Sequence, residues 1–118
     1  MKVRLNASGF ELGIELEKYT NTKISQLIKQ VPRKLRANAV CVVHFGQVRR
    51  KRTEFNTCSV TFTLDGTELK AEETTLHMYS ALDVAAVHIS HQLKDYVAKQ
   101  AAEHRLKARL KRYFRPDR

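Results

Sequence analysis

The sequence predicts one α+β domain: a mostly antiparallel four-stranded sheet with two helices packed on one of its faces. Residues 57–64 alternate between hydroxyl and apolar side chains, as expected for a sheet that is wet on one face and dry on the other. Two longer segments repeat apolar residues at steps of three and four, the spacing of amphipathic helices. The segments follow the order β-α-β-β-β-α, and placing both helices on the dry face buries every apolar stripe.

The first part of the chain supplies a strand, a helix and a second strand. Residues 2–8 alternate apolar and polar side chains, which predicts a half-buried strand. From Leu16 to Val31 apolar residues recur at helical spacing, and Pro32 ends the pattern because it lacks a backbone donor. After a basic connector, residues 39–45 are dense in β-branched side chains and predict a central strand.

The second part supplies a hairpin and a long helix. Residues 55–64 form the alternating strand, and Asp65-Gly66 predicts a tight turn, since both residues tolerate the positive φ of a two-residue hairpin. Residues 67–73 continue as a shorter strand. The apolar stripe of the helix that follows is formed by Met78, Leu82, Ala85, Ile89, Leu93 and Tyr96.

Beyond Val97 the apolar stripe thins, which indicates a boundary between a body and a tail. We expect an α+β body over residues 1–100 and a basic tail or helix extension over residues 101–118. Two alternatives stay open for the tail: the helix runs on outside the body, or the segment is disordered until it meets a partner. Pro116 ends any helix.

The chain carries a large excess of positive charge. It has 22 Lys and Arg against 12 Asp and Glu, a net charge of +10. Residues 105–118 hold seven of these cations against Asp117 alone, so the rest of the chain is only mildly basic. Such an excess is informative about partners rather than fold, and the usual partners are nucleic acid and anionic membrane surfaces.

A second cationic segment follows the central strand. Four adjacent like charges on a hairpin loop repel one another unless a polyanion relieves them. Both segments suit a phosphate backbone, where cations displace condensed counterions. The strands lack interleaved aromatic residues for stacking bases, so we expect recognition of structured RNA by shape and phosphates. The four cations are Arg49, Arg50, Lys51 and Arg52.

The sequence offers little for catalysis. Its four glycines are isolated, so no phosphate-cradling loop is predicted, and its carboxylates show no paired spacing. His88 and His91 lack a third ligand at a suitable spacing, which favours a solvated or RNA-facing role over metal binding. Cys41 and Cys58 keep step with apolar neighbours and are interpreted as core residues, with a redox or metal pair as the alternative. We expect a protein that is not an enzyme and has no cofactor, metal or small-molecule substrate.

The same features bear on location. The N-terminus lacks the apolar run of a signal peptide, and no segment approaches the roughly 20 apolar residues of a transmembrane helix. Two cysteines without a secretory signal favour a reducing compartment, so we expect a cytoplasmic protein. Membrane association through the tail is a weaker alternative, since only a short apolar stripe is present there: Leu106, Leu110, Tyr113 and Phe114.

Residues 69–99 resemble the signature of the ribosome hibernation-promoting factor family, whose members are also called ribosome-associated inhibitor or sigma-54 modulation proteins. The resemblance extends over about residues 1–100 and includes the element order, which is related to that of double-stranded-RNA-binding domains. The signature combines an apolar–x–Ala strand end with Met-Tyr, Ala-x-Asp and Gln-Leu motifs. The matching residues here are Leu69, Ala71, Met78, Tyr79, Ala81, Asp83, Gln92 and Leu93.

The resemblance implies a bacterial, ribosome-associated inhibitor of translation that acts under stress. Members of the family lodge in the decoding channel of the small ribosomal subunit, against 16S-type ribosomal RNA, where transfer RNA and messenger RNA would sit. Long members add a C-terminal domain that pairs ribosomes. This chain ends before such a domain, so we expect a short form that is monomeric off the ribosome.

The predicted RNA-binding residues combine the cations of both cationic segments with cations near the helices and two histidines. Family members often present cations where His88 and His91 stand here, and protonation at about pH 6.5 would restore that charge. We therefore expect tighter ribosome binding at acid pH. The prediction comprises Lys23, Lys29, Arg33, Lys34, Arg49, Arg50, Lys51, Arg52, His88, His91, Lys94, Lys99, Arg105, Lys107, Arg109, Lys111 and Arg112.

Two other functions stay open on the sequence. A general module for structured RNA, acting away from the ribosome, would bind isolated duplexes as tightly as small subunits. A nuclease or hydrolase on a small α/β scaffold is disfavoured because paired carboxylates are missing from the sequence.

Overall fold

The computed structural model describes residues 1–113. Its elements are β1 (Lys2–Ala7), α1 (Ile14–Ile28), α2 (Arg33–Arg36), β2 (Val40–Arg50), β3 (Thr53–Leu64), β4 (Thr67–Thr75) and α3 (Met78–Tyr113). This order confirms the predicted β-α-β-β-β-α arrangement, with the single-turn α2 added in the basic connector. The predicted helix stop at Pro116, and the charges of Arg115, Asp117 and Arg118, lie outside the described residues.

The four strands form one sheet in the order β1-β2-β3-β4. β1 pairs with β2 in parallel, from Lys2 opposite Val40 to Ala7 opposite Phe45, whereas the other two pairings are antiparallel. A parallel pair requires a crossover connection, and α1 supplies it. The predicted α+β fold with a mostly antiparallel sheet is therefore confirmed.

The core lies between the sheet and the helices α1 and α3. On β3, Cys58, Val60, Phe62 and Leu64 are buried, and the hydroxyl residues between them point to the opposite face because side chains alternate along a strand. Phe45 of β2 lies opposite Cys58 and is also fully buried. The dry face expected from the alternation is therefore confirmed.

Helix α1 ends earlier than the sequence pattern indicates. Its last helical residue is Ile28, although Val31 keeps only 1% of its surface exposed. Proline disfavours helical geometry in the residue before it, so the chain leaves the helix ahead of Pro32. The Arg36 guanidinium then donates hydrogen bonds to the carbonyl oxygens of Val31 (2.8 Å) and Lys29 (3.3 Å), beyond the end of the helix.

Both antiparallel hairpins close with two-residue turns. Asp65 and Gly66 connect β3 to β4 with φ values of 45° and 84°, which confirms the predicted turn. Lys51 and Arg52 connect β2 to β3 with φ values of 46° and 69°. Positive φ at both central positions is the pattern of a type I′ turn, whose twist matches that of the flanking strands.

Helix α3 has a packed part and a projecting part. Through Val97 it lies on the sheet, and its buried stripe agrees with the sequence pattern. Every residue from 98 to 113 is exposed, and we call this segment the helical arm. At 1.5 Å per residue the 16 residues of the arm are about 24 Å long.

The helical arm and the turn between β2 and β3 lie at opposite ends of the molecule. α3 starts next to Thr75, which pairs with Asn56 on the strand that leaves this turn. The helix then runs back along β4, where the Gln92 side chain donates a hydrogen bond to the Lys70 carbonyl (2.9 Å), and it leaves the body at the other end of the sheet. The longest dimension of the molecule is 74 Å.

Candidate nucleic-acid interface

The hairpin between β2 and β3 carries one group of predicted RNA-binding residues, which we call the cationic tip: Arg49, Arg50, Lys51 and Arg52. β4 stops pairing at Asn56, so residues 48–55 project as a two-stranded ribbon beyond the sheet. All four cations are exposed, and within residues 1–113 none of them lies within 4.0 Å of a carboxylate. The tip therefore presents its positive charge to solvent.

The helical arm carries the second group. Its cations are Lys99, Arg105, Lys107, Arg109, Lys111 and Arg112, against Glu103 as the arm's acidic residue. Successive helical residues are about 100° apart, so these cations surround most of the helix and leave a narrow apolar strip at Leu106, Leu110 and Tyr113. Because the helix has no core behind it here, a polyanion can approach from several sides.

A third group lies at the base of the arm. α1 and α3 run side by side, from the Tyr19–Asp83 contact near their starts to the Gln30–Ser90 hydrogen bond (2.8 Å) farther along. The end of α1, α2 and the end of the packed part of α3 are thus brought to the same end of the body. The exposed cations gathered there are Lys29, Arg33, Lys34 and Lys94.

Lys23 lies between these groups, and its charge is balanced. Its Nζ is 3.3 Å from Asp83 Oδ1, which also accepts a hydrogen bond of 2.6 Å from the Tyr19 hydroxyl. The contact with Asp83 raises the pKa of Lys23, and the same carboxylate raises the pKa of Tyr19. The Tyr19 ring meets the Tyr79 ring edge-on, with centroids 5.0 Å apart. This cluster joins α1 to α3 and adds little net charge to the surface.

The two histidines differ in their surroundings. His88 Nε2 lies 3.1 Å from Glu73 Oε1 on β4, whereas His91 is exposed on α3. Glu73 therefore faces His88 directly, whereas no carboxylate of residues 1–113 lies within 4.0 Å of His91. The contact with Glu73 could not be predicted from the sequence, because it joins a strand to a helix.

The cysteines belong to the core, as interpreted from the sequence. Cys41 and Cys58 are free thiols on the buried face of the sheet, opposite Phe62 and Phe45 respectively. Burial raises the pKa of each thiol to about 12.

Within residues 1–113 no three side chains of the His, Cys, Asp and Glu types are grouped as metal ligands would be. Over the same range, α3 and the other helices are too short or too polar to cross a bilayer.

Comparison with known families gives a match over most of the chain. The sequence model of the family described as Sigma 54 modulation protein / S30EA ribosomal protein matches residues 3–101. The chain belongs to this family. It is thus a member of a ribosome-associated family, as the resemblance in residues 69–99 indicated. The match ends at residue 101, so most of the helical arm lies outside the S30EA region.

Solved structures show the same fold at low identity. A ribosomal subunit interface protein from Coxiella burnetii matches with a TM-score of 0.65 and 19% identity, over 83% of this chain and 99% of that one. The N-terminal domain of Protein Y from Thermus thermophilus matches with a TM-score of 0.62 and 16% identity, over 81% of this chain and 99% of that domain. The comparison with curated proteins gives no significant match.

Proposed function

We propose that this S30EA protein is a ribosome hibernation factor of the bacterial cytoplasm. It binds ribosomal RNA in the decoding channel of the small subunit, occupies the sites of transfer RNA and messenger RNA, and inhibits translation under stress. The observation that carries the proposal is the exposed, unpaired cationic tip on an S30EA domain. The ribosomal subunit interface protein of Coxiella burnetii has the same fold and supports this assignment.

The chemistry of the surface favours phosphate over base recognition. The cationic tip and the helical arm carry ten Lys and Arg residues, and each can displace a counterion from the RNA backbone. Exposed aromatic rings are few on these two segments, so base stacking contributes little. A protein that makes 6 to 10 such contacts loses roughly 10³ to 10⁵ in affinity between about 50 and 200 mM salt.

In this proposal the two parts of the chain have separate tasks. The body, residues 1–100, recognises the shape of the channel and presents the tip and the cations at the base of the arm. Residues 101–118 act as a basic tail along the path of messenger RNA. Lys23 contributes less than the tip, since Asp83 holds its ammonium group. The protein works by occupying space, without catalysis.

A general module for structured RNA is the alternative that one observation favours. The tip projects from the sheet and the arm is an exposed helix, and exposed cations bind any accessible phosphates. Equilibrium binding to an isolated RNA duplex and to purified small subunits separates the two functions. A hibernation factor binds the subunit more tightly at equal ionic strength, whereas a general module binds both equally.

The decisive experiment is a competition on the small subunit. Purified subunits are saturated with the protein at near-physiological ionic strength, and binding of initiator transfer RNA is measured by filter retention. We expect initiator transfer RNA to be excluded, and the protein to sediment with ribosomal particles in a stationary-phase lysate. Normal binding of the transfer RNA to subunits that carry the protein would refute the proposal.

A further inference from the structure

The two tight turns of the sheet share a backbone geometry but differ in residue chemistry. The turn between β3 and β4 uses Asp65 and Gly66, a pair that adopts positive φ readily. The turn between β2 and β3 uses Lys51 and Arg52, at φ values of 46° and 69°. A Cβ strains the backbone in this region, and Lys and Arg lack the short polar group that helps Asn and Asp there. One molecule thus contains a favoured and a disfavoured version of the same turn.

Contacts within residues 1–113 do not compensate for this choice. The side chains of Lys51 and Arg52 are exposed, and neither makes a side-chain hydrogen bond or an ion pair with another described residue. The neighbouring Arg49 and Arg50 add like charge to the same turn. Backbone strain of this kind clusters at active sites and ligand-binding sites.

The ribbon also holds these two cations in a defined place. Val48 lies opposite Phe55, and Arg50 lies opposite Thr53, so the β2–β3 ladder continues up to the turn. Phe55 is half-buried, and cross-strand pairs of this kind stiffen a hairpin. A cation held in position loses less conformational freedom when it meets an anion than one on a loose loop.

We propose that Lys51 and Arg52 form a phosphate-binding site for RNA, and that the strained turn is retained because it carries both cations at the end of the ribbon. The choice of RNA as the source of the phosphates rests on the proposed function. Stability and RNA affinity are then opposed at these two positions. The same turn with Asn and Gly makes the fold more stable and the binding weaker.

Three double variants separate strain from charge. K51N/R52G removes both the strain and the charges, whereas K51Q/R52Q removes the charges and keeps the strained backbone. K18Q/K70Q is the matched control, because it removes two exposed cations from the body. Each protein is compared with the unmodified chain by thermal denaturation and by equilibrium binding to purified small subunits and to a labelled RNA hairpin.

We expect K51N/R52G to raise the melting temperature by about 4–8 °C, and K51Q/R52Q to raise it by less than about 2 °C. Both tip variants weaken binding to subunits and to the RNA hairpin by about 10-fold or more, and lower the slope of log affinity against log salt by about 1.5. K18Q/K70Q weakens binding by less than about threefold.

Equal losses of affinity in the tip variants and in K18Q/K70Q would overturn the proposal, because net charge would then explain the binding. A K51N/R52G protein no more stable than K51Q/R52Q would overturn the argument from strain. If the unmodified chain binds the RNA hairpin but not small subunits, the proposed function is wrong. The RNA titrations of the variants then still test whether Lys51 and Arg52 bind phosphate. If the unmodified chain binds neither the RNA hairpin nor small subunits, the proposed function and the phosphate site are both refuted.

Discussion

The cationic tip and the helical arm are two positively charged ends of one molecule, but they are built differently. The tip sits on a ribbon whose two strands are paired up to Arg50 and Thr53, directly continuous with the sheet. The arm is a single helix over residues 98–113, with every residue exposed. Each end therefore presents exposed cations on a different support.

The difference has a consequence for local stability. Opening the ribbon disturbs the β2–β3 ladder, whereas the arm loses only its own helical hydrogen bonds when it frays. Arg105 and Arg109, and likewise Lys107 and Lys111, are like charges four residues apart, and each such pair weakens a helix by about 0.2–0.5 kcal/mol. The tip is thus held by the sheet, whereas the arm is the end that frays more easily.

Removal of the outer part of the arm, together with the residues that follow it, is the largest change we predict. Deleting residues 105–118 takes away seven cations and should lower the slope of log affinity against log salt by about 5. Because the deleted residues that the structure describes are all exposed, the melting temperature should change by less than about 3 °C. Salt titrations against small subunits and thermal denaturation measure the two effects.

A full-length control separates charge from length in that test. It replaces five described cations of the arm by Gln and keeps the helix, so it should reproduce most of the loss in slope. A large drop in melting temperature on truncation would show that the arm supports the body, contrary to the comparison. The five cations are Arg105, Lys107, Arg109, Lys111 and Arg112.

A proline at the start of the arm tests its independence from the body. Ala102→Pro should break the helix locally, at a cost of about 3 kcal/mol to the arm alone, because the carbonyl it disturbs is that of Ala98. We expect lower helicity by circular dichroism, an unchanged melting temperature for the body, and about tenfold weaker binding to small subunits. Ala85→Pro is the contrasting variant, because Ala85 is fully buried and its substitution should prevent folding. If both variants failed to fold, the arm would not be independent of the body.

Tyr19 tests the neutral cluster that lies between the two ends. Tyr19→Phe removes the hydroxyl that bonds to Asp83, and it should lower the free energy of unfolding by about 1 kcal/mol. Binding to small subunits should be unchanged, since neither end loses a cation. Tyr79→Phe keeps the paired rings and serves as the control. Chemical denaturation and binding titrations measure the outcome, and a clear loss of affinity in Tyr19→Phe would place this cluster in the interface.

The buried cysteines give the smallest effect at neutral pH. Burial holds the pKa of Cys41 and Cys58 at about 12, so the native protein should not react with a thiol reagent near neutrality until it unfolds. Since the native pKa is raised above the ordinary thiol value of 9.0, the stabilising contribution is complete below about pH 9 and is lost as pH rises towards 12.

The double variant C41A/C58A isolates the thiol contribution, because Tyr19 and Lys23 also have raised pKa values in the alkaline range. It should lose less stability than the unmodified protein between about pH 9 and 12. Rapid labelling of either cysteine in the folded protein would instead indicate that the sheet opens between the two ends.

Much of the fold followed from local patterns. The alternation from Cys58 to Leu64 fixed which face of β3 is buried, and Asp65-Gly66 fixed the turn after it, because both depend on side chains and φ preferences of adjacent residues. The sequence pattern places the end of α1 three residues too late, at Val31 instead of Ile28, because Val31 is buried without being helical. The Lys51-Arg52 turn escaped recognition as a two-residue turn because its residues are not those that such turns favour.

The sequence by itself determined the order of elements, the buried stripes and the two cationic segments, because period and composition are local properties of the chain. Only the tertiary structure decided that the cationic segments stand at opposite ends, and that Asp83 and Glu73 accompany Lys23 and His88. The physical reason is that charge balance depends on distance in space, and the chain brings Tyr19 to Asp83 across 64 positions of sequence.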